Sequence, residues 1–588
     1  MNNTSIWLIA IVSVLGVFLR FCNLDATTLW IDEIYSLMVA NTHLPPERPL
    51  ATPQSAISLY QTYLAWQPLA FDQLLAMLKI NVHLPLYYCL LNPWLAWFQN
   101  TAAGLRSFSA LCSAIALFPV FMLTKQGYGT KAATLALVFM AFSPFQLYFA
   151  QEGRMYALAL LLCSFSAYLF WQLLTTPERN ANTQTMKAQS VVQSATYALC
   201  TTAAVLTHYT VVFFLGFQVL FFWAYAYSIK QHGSGQNQKL VLKRLALFLP
   251  GLVLIAGVGI AWLPIYTEQV NGLSSNYHFA KGLASIPRII GLPIWHALVF
   301  AGGNNHLQRI FYFPLCLVLI AGFVSVIWKT RGQGKAATIS KSQNAEANNT
   351  NMPMYSYALH HRQVWFLGFI ACWYSLPIGL LIAYDFIKNT HSAVMDRYVM
   401  LSSPAVYIAM AIGFCVLSRL LNQKTGLQWS RKIQATVVLA VAALGVLAVY
   451  SPSPFRDNHN KSKPIRSHIK AMVNRSKPAS KAALASKSKL ITGNLPLMVV
   501  NGPWGAALIA AYYSHQFNPQ QPILYWMSPY RKTDIPLPDK TLFAEISTVW
   551  LFRYRANNER GLQKIKDHLA SMYPQKTKME DGFLYRRP

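Results

Sequence analysis

The sequence predicts an all-α polytopic membrane protein, with about 11 transmembrane helices plus interfacial helices, carrying a small C-terminal α/β domain. Three observations predict it. Of 588 residues, 54% are apolar and only 12% charged, whereas soluble proteins carry about a quarter charged residues. Apolar runs near the length needed to cross about 30 Å of hydrocarbon recur from the N-terminus to about Tyr450. Beyond Tyr450 the chain turns basic and then alternates short β-type runs with a helical stretch. An ordinary soluble enzyme is excluded. The cysteines lie in or beside apolar runs, with none after Cys415, so they form no disulfide framework.

The spans read at 6–22, 105–124, 132–149, 155–174, 191–207, 209–228, 246–265, 310–328, 364–384, 398–420 and 433–451. The first has no basic segment before it and no small-residue cleavage site after it, so it is expected to be retained. Residues 84–98 form an apolar run only about 22 Å long as a helix. Asn92-Pro93 interrupts it and Trp and Tyr are frequent, which fits an interfacial helix better than a span. The run 191–228 holds two spans if it turns at Thr207-His208-Tyr209.

Charge orients these spans. The excess of 49 Lys plus Arg over 19 Asp plus Glu gives +30. One set of loops, including Lys125, Lys131, Lys243, Arg331 and Lys432, carries about twice as many basic residues as the other in fewer positions, the asymmetry of the positive-inside rule. That set is expected to be cytoplasmic. Its longest member, 329–362, reads as a disordered loop, and the first loop, 23–104, then lies outside. The expected division is a membrane part over 1–452, a basic linker over 453–490 and an α/β domain over 491–588. Span parity puts that domain outside, although the linker's basic residues beside the last span argue against this. The cell membrane accounts for the positive charge, and nucleic acid is not needed as a partner.

Acidic residues are scarce, so their positions are informative. Asp25, Asp32, Glu33, Glu47 and Asp72 fall in the first external loop, and Glu152 follows the third span. Asp32 and Glu33 sit in Leu-Trp-Ile-Asp-Glu-Ile-Tyr-Ser just outside the first span. One carboxylate can point into a cavity while the other caps or pairs nearby; the alternative is two solvated charges at a helix start. Glu152, Arg154 and Tyr156 lie at the external end of the span beginning at 132. They are either a weak surface pair and its neighbour or part of a site, and parity puts them on the same face as Asp32 and Glu33. Arg397 and Tyr398 open the span at 398, where Arg397 can snorkel or hold a phosphate bidentately. His208 is a polar hairpin tip or a ligand, and His83 stays undecided. Arg20 and Arg106, at the outer ends of their spans, read as anchors. Walker A, dinucleotide, His/Cys metal and G-x-S-x-G patterns are absent.

In order along the chain, LxxxxLWxDE, HLPLYYCLLNPW, AxxLRSFSAL, FSPFQLYFAQEGRMYAL, THY and DRYVMxxxP resemble the motifs of bacterial membrane glycosyltransferases of family 39. These belong to the GT-C superfamily, with the protein O-mannosyltransferases and the lipid A aminoarabinose transferases. The resemblance covers roughly residues 5–420. The chain lacks the large lumenal insertion of the eukaryotic mannosyltransferases and reads His-Leu-Pro where they have His-Pro-Pro, and 453–588 matches nothing in the family.

The resemblance implies an enzyme that moves a sugar from a polyprenyl-phosphate carrier to a lipid, glycan or protein acceptor at the outer face, by inverting single displacement. It makes Asp32 the catalytic carboxylate. Residue chemistry agrees: a base must take the acceptor hydroxyl's proton while positive charge stabilises the departing phosphate. Glu33 or Glu152 then orients Asp32 or helps to hold a divalent metal ion, with Asp32 and Glu152 as the metal candidates and no other cofactor called for. Arg154, Tyr156, Arg397, Tyr398 and His208 are the phosphate- and substrate-binding candidates. The alternative is a lipid-linked sugar flippase or transporter, which predicts ionisable residues at mid-span in both halves rather than gathered at one face.

Overall fold

A computed structural model describes residues 3–45, 54–175, 184–231, 235–276, 322–324, 354–388, 390, 392–425, parts of 436–449, 497–501, 504–517, 522–526, 548–553, 559–579 and 582–586. Among these, six helices are long and apolar enough to cross a membrane. They are Ala102–Tyr128, Tyr156–Thr175, Val211–Ile229, Val241–Asn271, Arg362–Lys388 and Arg397–Leu420. A bent pair, Thr130–Phe142 and Pro144–Ala150, makes a seventh if it counts as one span. The protein is therefore a polytopic membrane protein.

Of the other expected spans, 6–22 is an apolar helix of shorter reach, Ile6–Phe21, and 191–207 falls in the less apolar helix Gln184–Val205. All of 310–328 except 322–324 and about half of 433–451, like Glu47 and the 453–490 linker, lie outside the described residues. The expected hairpin turns between Val205 and Val211. Residues 84–98 yield the helix Leu86–Phe98, about 20 Å long and too short to span. The insertion 329–362 departs from expectation at its end. From Met354 it is helical, continuous with the span after it, because neither Gly nor Pro interrupts the sequence there.

The chain forms two compact units. The first comprises Met1–Asn23, Asn81–Tyr87 and Ser107–Pro454. Its distinctive element is the expected 132–149 span, which bends by 58° at Ser143-Pro144. Proline drives the residue before it to an extended conformation, and Ser143 has φ −62° and ψ 124°. Proline also has no N–H to give the Met140 carbonyl one turn back. In an apolar setting an orphaned carbonyl is costly, and Arg20 supplies the missing donors. Its guanidinium donates to the carbonyls of Met140 (3.1 Å) and Ala141 (2.8 Å), to Gly16 in its own helix (2.8 Å) and to the Ser113 hydroxyl (3.0 Å). The expectation that Arg20 anchors at the membrane surface is thus overturned; the side chain is fully buried.

The two helices approach closely because Gly16 has no side chain, and a Cβ there would come within 2.9 Å of the Ala141 Cβ. On the other side of the bend, Ser143 and Tyr407 hydroxyls pair at 2.8 Å, and the Gln146 amide donates to the Ser403 hydroxyl at 2.7 Å.

The second unit comprises Leu24–Ile80, Tyr88–Arg106 and Phe455–Pro588. Its sheet has strands β1 (Gln54–Ser55), β2 (Leu497–Asn501), β3 (Pro522–Trp526), β4 (Thr548–Arg553), β5 (Gln575–Met579) and β6 (Gly582–Arg586) in the order β1-β3-β2-β4-β6-β5. β2 pairs in parallel with β3 and β4, and the other pairings are antiparallel. Its Leu497, Val499, Ile523, Val549 and Leu551 are buried. The sequence reading did not reach the edge strand β1, whose two residues are too few for a periodicity.

Helix Trp504–Phe517 packs on helices Ile31–Ala40 and Ala56–Tyr63. The Tyr513 hydroxyl accepts from the Leu29 N–H (2.7 Å), the Tyr512 hydroxyl accepts from the Ala102 N–H (2.8 Å), and Tyr60 stacks on His515 with ring centroids 4.3 Å apart.

Replacing Arg20 by Met strands two buried carbonyls and is expected to cost about 2–6 kcal/mol at 1–3 kcal/mol each. Adding Pro144→Ala restores one N–H, so the double variant should melt above Arg20→Met alone. Equal melting temperatures of the single and double variants would refute this account of the bend.

Candidate functional site

The bend aims the helix Pro144–Ala150 into the tight turn at 151–154. Gln151 fixes that turn by donating to the carbonyls of Leu19 (3.0 Å), Arg20 (3.4 Å) and Cys22 (2.7 Å). Within the turn the Arg154 N–H donates to the Glu152 carbonyl (2.7 Å), and the Ser109 hydroxyl donates to that of Arg154 (3.2 Å). Glu152 and Arg154 are only 5% and 3% exposed, which excludes the reading as a weak surface pair.

Around them the first unit assembles residues far apart in sequence. An Arg154 Nη lies 3.1 Å from His83 Nε2. The Tyr156 and His208 rings are 5.6 Å apart, those of His208 and Tyr398 5.7 Å, and the Arg397 guanidinium stands 5.3 Å from the centre of the Tyr398 ring. Glu152, Arg154, Tyr156, His208, Arg397 and Tyr398, all expected from sequence, thus come together with His83, which the sequence left undecided. A His followed by Leu-Pro carries no signal of its own; its tertiary partner Arg154 gives it a role.

The protonation states follow from the neighbours. A guanidinium only donates, so His83 Nε2 accepts and the ring's proton sits on Nδ1. His208 is the converse: the Thr210 N–H donates to its Nδ1 (3.2 Å), which leaves the proton on Nε2. Burial first, then the positive charges of Arg154 and Arg397, push His208 down to about 3. Burial, Arg154, His208 and Arg397 hold His83 well below its ordinary value. Two neutral imidazoles therefore stand among two guanidinium groups and one carboxylate. The cluster carries a net positive charge, with Arg N–H groups and the His208 Nε2–H among its donors.

The second unit holds Asp32 and Glu33 in the first turn of the helix Ile31–Ala40. Glu33 is 1% exposed. Its Oε1 and Oε2 accept from Arg106 at 2.7 and 2.6 Å, and Oε2 also accepts the Trp30 N–H at 3.3 Å. The remaining Arg106 donors go to the carbonyls of Leu24 (2.7 Å), Thr27 (2.9 Å) and Thr28 (3.1 Å), so all five are used. Arg106, expected as an anchor, is instead the internal clamp of this segment. Glu33 is its counter-ion rather than a solvated charge. Asp32, one residue earlier on a different face, is only half-buried.

Among the described residues no three His, Cys, Asp or Glu side chains group as metal ligands, and Arg106 occupies both Glu33 oxygens. The metal candidates Asp32 and Glu152 belong to no group of three such side chains among the described residues, and no step below passes through a metal ion.

No family model and no curated protein matches the chain. Among solved structures it is similar to the archaeal oligosaccharyltransferase AglB from Archaeoglobus fulgidus in complex with an inhibitory peptide and a dolichol-phosphate. The identity is 14% over 94% of this chain and 69% of that one, with a TM-score of 0.46. An Archaeoglobus fulgidus oligosaccharyltransferase in complex with Zn and sulfate is 13% identical over 93% and 68%, with a TM-score of 0.45. ArnT from Cupriavidus metallidurans bound to undecaprenyl phosphate is 10% identical over 100% and 98%, with a TM-score of 0.47. These likenesses are weak, and the chemistry below rests on this chain's own residues. Fold and site together define an integral membrane protein with a cation-rich polar cluster around the buried Arg154.

Breaking the buried pair by Glu33→Gln leaves Arg106 uncompensated and should cost about 3–5 kcal/mol. Pairing it with Arg106→Met should recover part of that loss, as read by chemical denaturation in detergent; a double variant no more stable than Glu33→Gln alone contradicts the clamp.

The neutral histidines also set a pH dependence. Their folded pKa values lie below the unfolded value of about 6.5, so the unfolded chain takes up the protons first on acidification. The stability they contribute is full above about pH 6.5 and declines below it. Melting curves between pH 7 and pH 4.5 should fall less steeply for His208→Gln than for the parent protein, and equal slopes would contradict the assignment.

Proposed function

We propose that the protein is a membrane glycosyltransferase of the GT-C type that takes a sugar from a polyprenyl-phosphate carrier and gives it to an acceptor hydroxyl at the outer face of the membrane. The observation that carries this reading is the grouping of the buried Arg154 with the half-buried Arg397, His83 and His208, a donor-rich positive site suited to a lipid phosphate. Its charge-assisted donors favour the phosphate most when the glycosidic bond breaks and charge accumulates on the leaving oxygen. Arg154 and Arg397 supply the charge, and His208 donates through Nε2–H. His83, a neutral acceptor, orients Arg154. The Tyr156 and Tyr398 rings flank His208 and limit its orientations.

Asp32 acts as the base in this reading. It removes the acceptor hydroxyl's proton as the oxygen attacks the anomeric carbon, and the bond to the phosphate oxygen breaks with its electron pair leaving on the phosphate. One inverting displacement results, and a phosphate leaving group needs no separate general acid. Glu33 serves indirectly, by fixing through Arg106 the segment that presents Asp32. Two of the similar structures are complexes with dolichol-phosphate and undecaprenyl phosphate, which is compatible with a polyprenyl-phosphate ligand here.

Protein in lipid nanodiscs, supplied with a polyprenyl-phosphate sugar and an acceptor-lipid extract, should release polyprenyl phosphate. Asp32→Asn should slow release by about 10²-fold or more while leaving carrier binding intact. Arg154→Ala should weaken binding of polyprenyl phosphate by about tenfold or more, as for a lost charge-assisted hydrogen bond. Transfer by Asp32→Asn at the parent rate, or unchanged carrier affinity in Arg154→Ala, would sink the assignment.

A further inference from the structure

The two imidazoles of the anion site belong to different segments, 81–87 and the turn between Val205 and Val211. The two segments bond directly where the Leu86 N–H donates to the Leu206 carbonyl at 3.2 Å, and a second tie comes from elsewhere in the chain. One side chain on a third segment bonds to both. Gln269, in the helix Gly235–Asn276 and only 2% exposed, donates its amide N–H groups to the carbonyls of Asn81 (3.1 Å) and His83 (3.0 Å). Its oxygen accepts from the hydroxyl of Tyr209, the residue after His208, at 2.5 Å. That hydroxyl in turn accepts from the indole N–H of Trp262 (3.0 Å), and the Tyr209 ring lies 5.8 Å from that of Tyr266.

Trp262, Tyr266 and Gln269 are four and three residues apart and so share one helix face. Elsewhere this helix is largely exposed and apolar, with Leu252, Val253, Ile260 and Leu263 outward. A buried amide in an apolar span is expensive unless all its groups are engaged, and here its bonds run to the backs of the segments that carry the two histidines.

We propose that Gln269 is a positioning residue of the anion site, holding His83 and His208 at a fixed separation by bonding the segments behind both. The consequence for catalysis rests on reading that site as the carrier-phosphate site. Losing the amide removes one of the ties between the two segments, which loosens both phosphate binding and the stabilisation of the departing phosphate.

The test uses the full-length protein in nanodiscs with Gln269→Leu, similar in length but without donors, and with undecaprenyl phosphate as the probe. Its Kd should rise by about tenfold and kcat for sugar transfer should fall as well, because the donors that bind the phosphate also stabilise its departure. A merely structural defect would lower kcat through the active fraction and leave Kd unchanged. Diethyl pyrocarbonate labelling, read by peptide mass spectrometry with the remaining histidines as internal controls, should be faster at His83 and His208 in the variant.

Tyr209→Phe, which keeps the ring and removes one hydroxyl, should shift all readouts the same way by less and keeps the test open if Gln269→Leu folds poorly. Combined with Gln269→Leu it should add little, since both act on one network. Parent-like Kd and labelling in folded Gln269→Leu would overturn the proposal. If the parent protein itself fails to bind the probe, the functional reading falls, and histidine labelling alone decides the role of Gln269.

Discussion

A proline inside an apolar helix, and the guanidinium that answers it, is the constraint on which the first unit depends. Pro144 withholds the N–H that the Met140 carbonyl needs and turns Ser143 out of helical conformation. Water cannot repair the loss inside an apolar bundle. Arg20 does so from the first helix, at the cost of burying a cation that now makes four hydrogen bonds. The bend and the first helix are thereby fixed together, and Gln151 ties the same helix end to the turn that carries Glu152 and Arg154. The local defect in the span gives the chain its polar turn a place to form.

The two units use arginine in opposite ways. Arg106 is saturated by a carboxylate and three carbonyls, an arrangement that suits a rigid segment. Arg154 and Arg397 stand among neutral imidazoles and phenol rings, so the positive charge there exceeds that of the one carboxylate, Glu152. The histidines stay neutral because the arginines repel a further proton and because burial disfavours it. His208 is thereby a hydrogen-bond donor rather than a base.

Much of this was legible in the chain itself. Apolar run length located the six long apolar helices and the bent pair among the described residues, and the excess length of 191–228 pointed to the hairpin at Thr207-His208-Tyr209. The scarcity of acids singled out Asp32, Glu33 and Glu152 before any geometry was known, and the basic residues at the heads of apolar runs marked Arg154 and Arg397. Reading Arg20 and Arg106 as surface anchors failed for one reason. Snorkelling and internal clamping put the same residue at the same place in a span, and the choice depends on whether unsatisfied carbonyls lie within reach. Those carbonyls come from distant segments.

By itself, then, the sequence determined the class of fold, since the length and spacing of apolar runs leave a helical bundle as the only economical way to satisfy the backbone in lipid. It also singled out Asp32, Glu33, Glu152, Arg154 and Arg397, while Arg20 and Arg106 read as anchors and His83 stayed undecided. Tertiary structure alone decided their roles: Glu33 bound to Arg106, His83 brought to Arg154, and Gln269 reaching the segments of both histidines. The physical reason is that hydrogen bonding is short-ranged and directional. A donor's partner is settled within about 3 Å, and no regularity along the chain encodes which of many carbonyls or rings will arrive there.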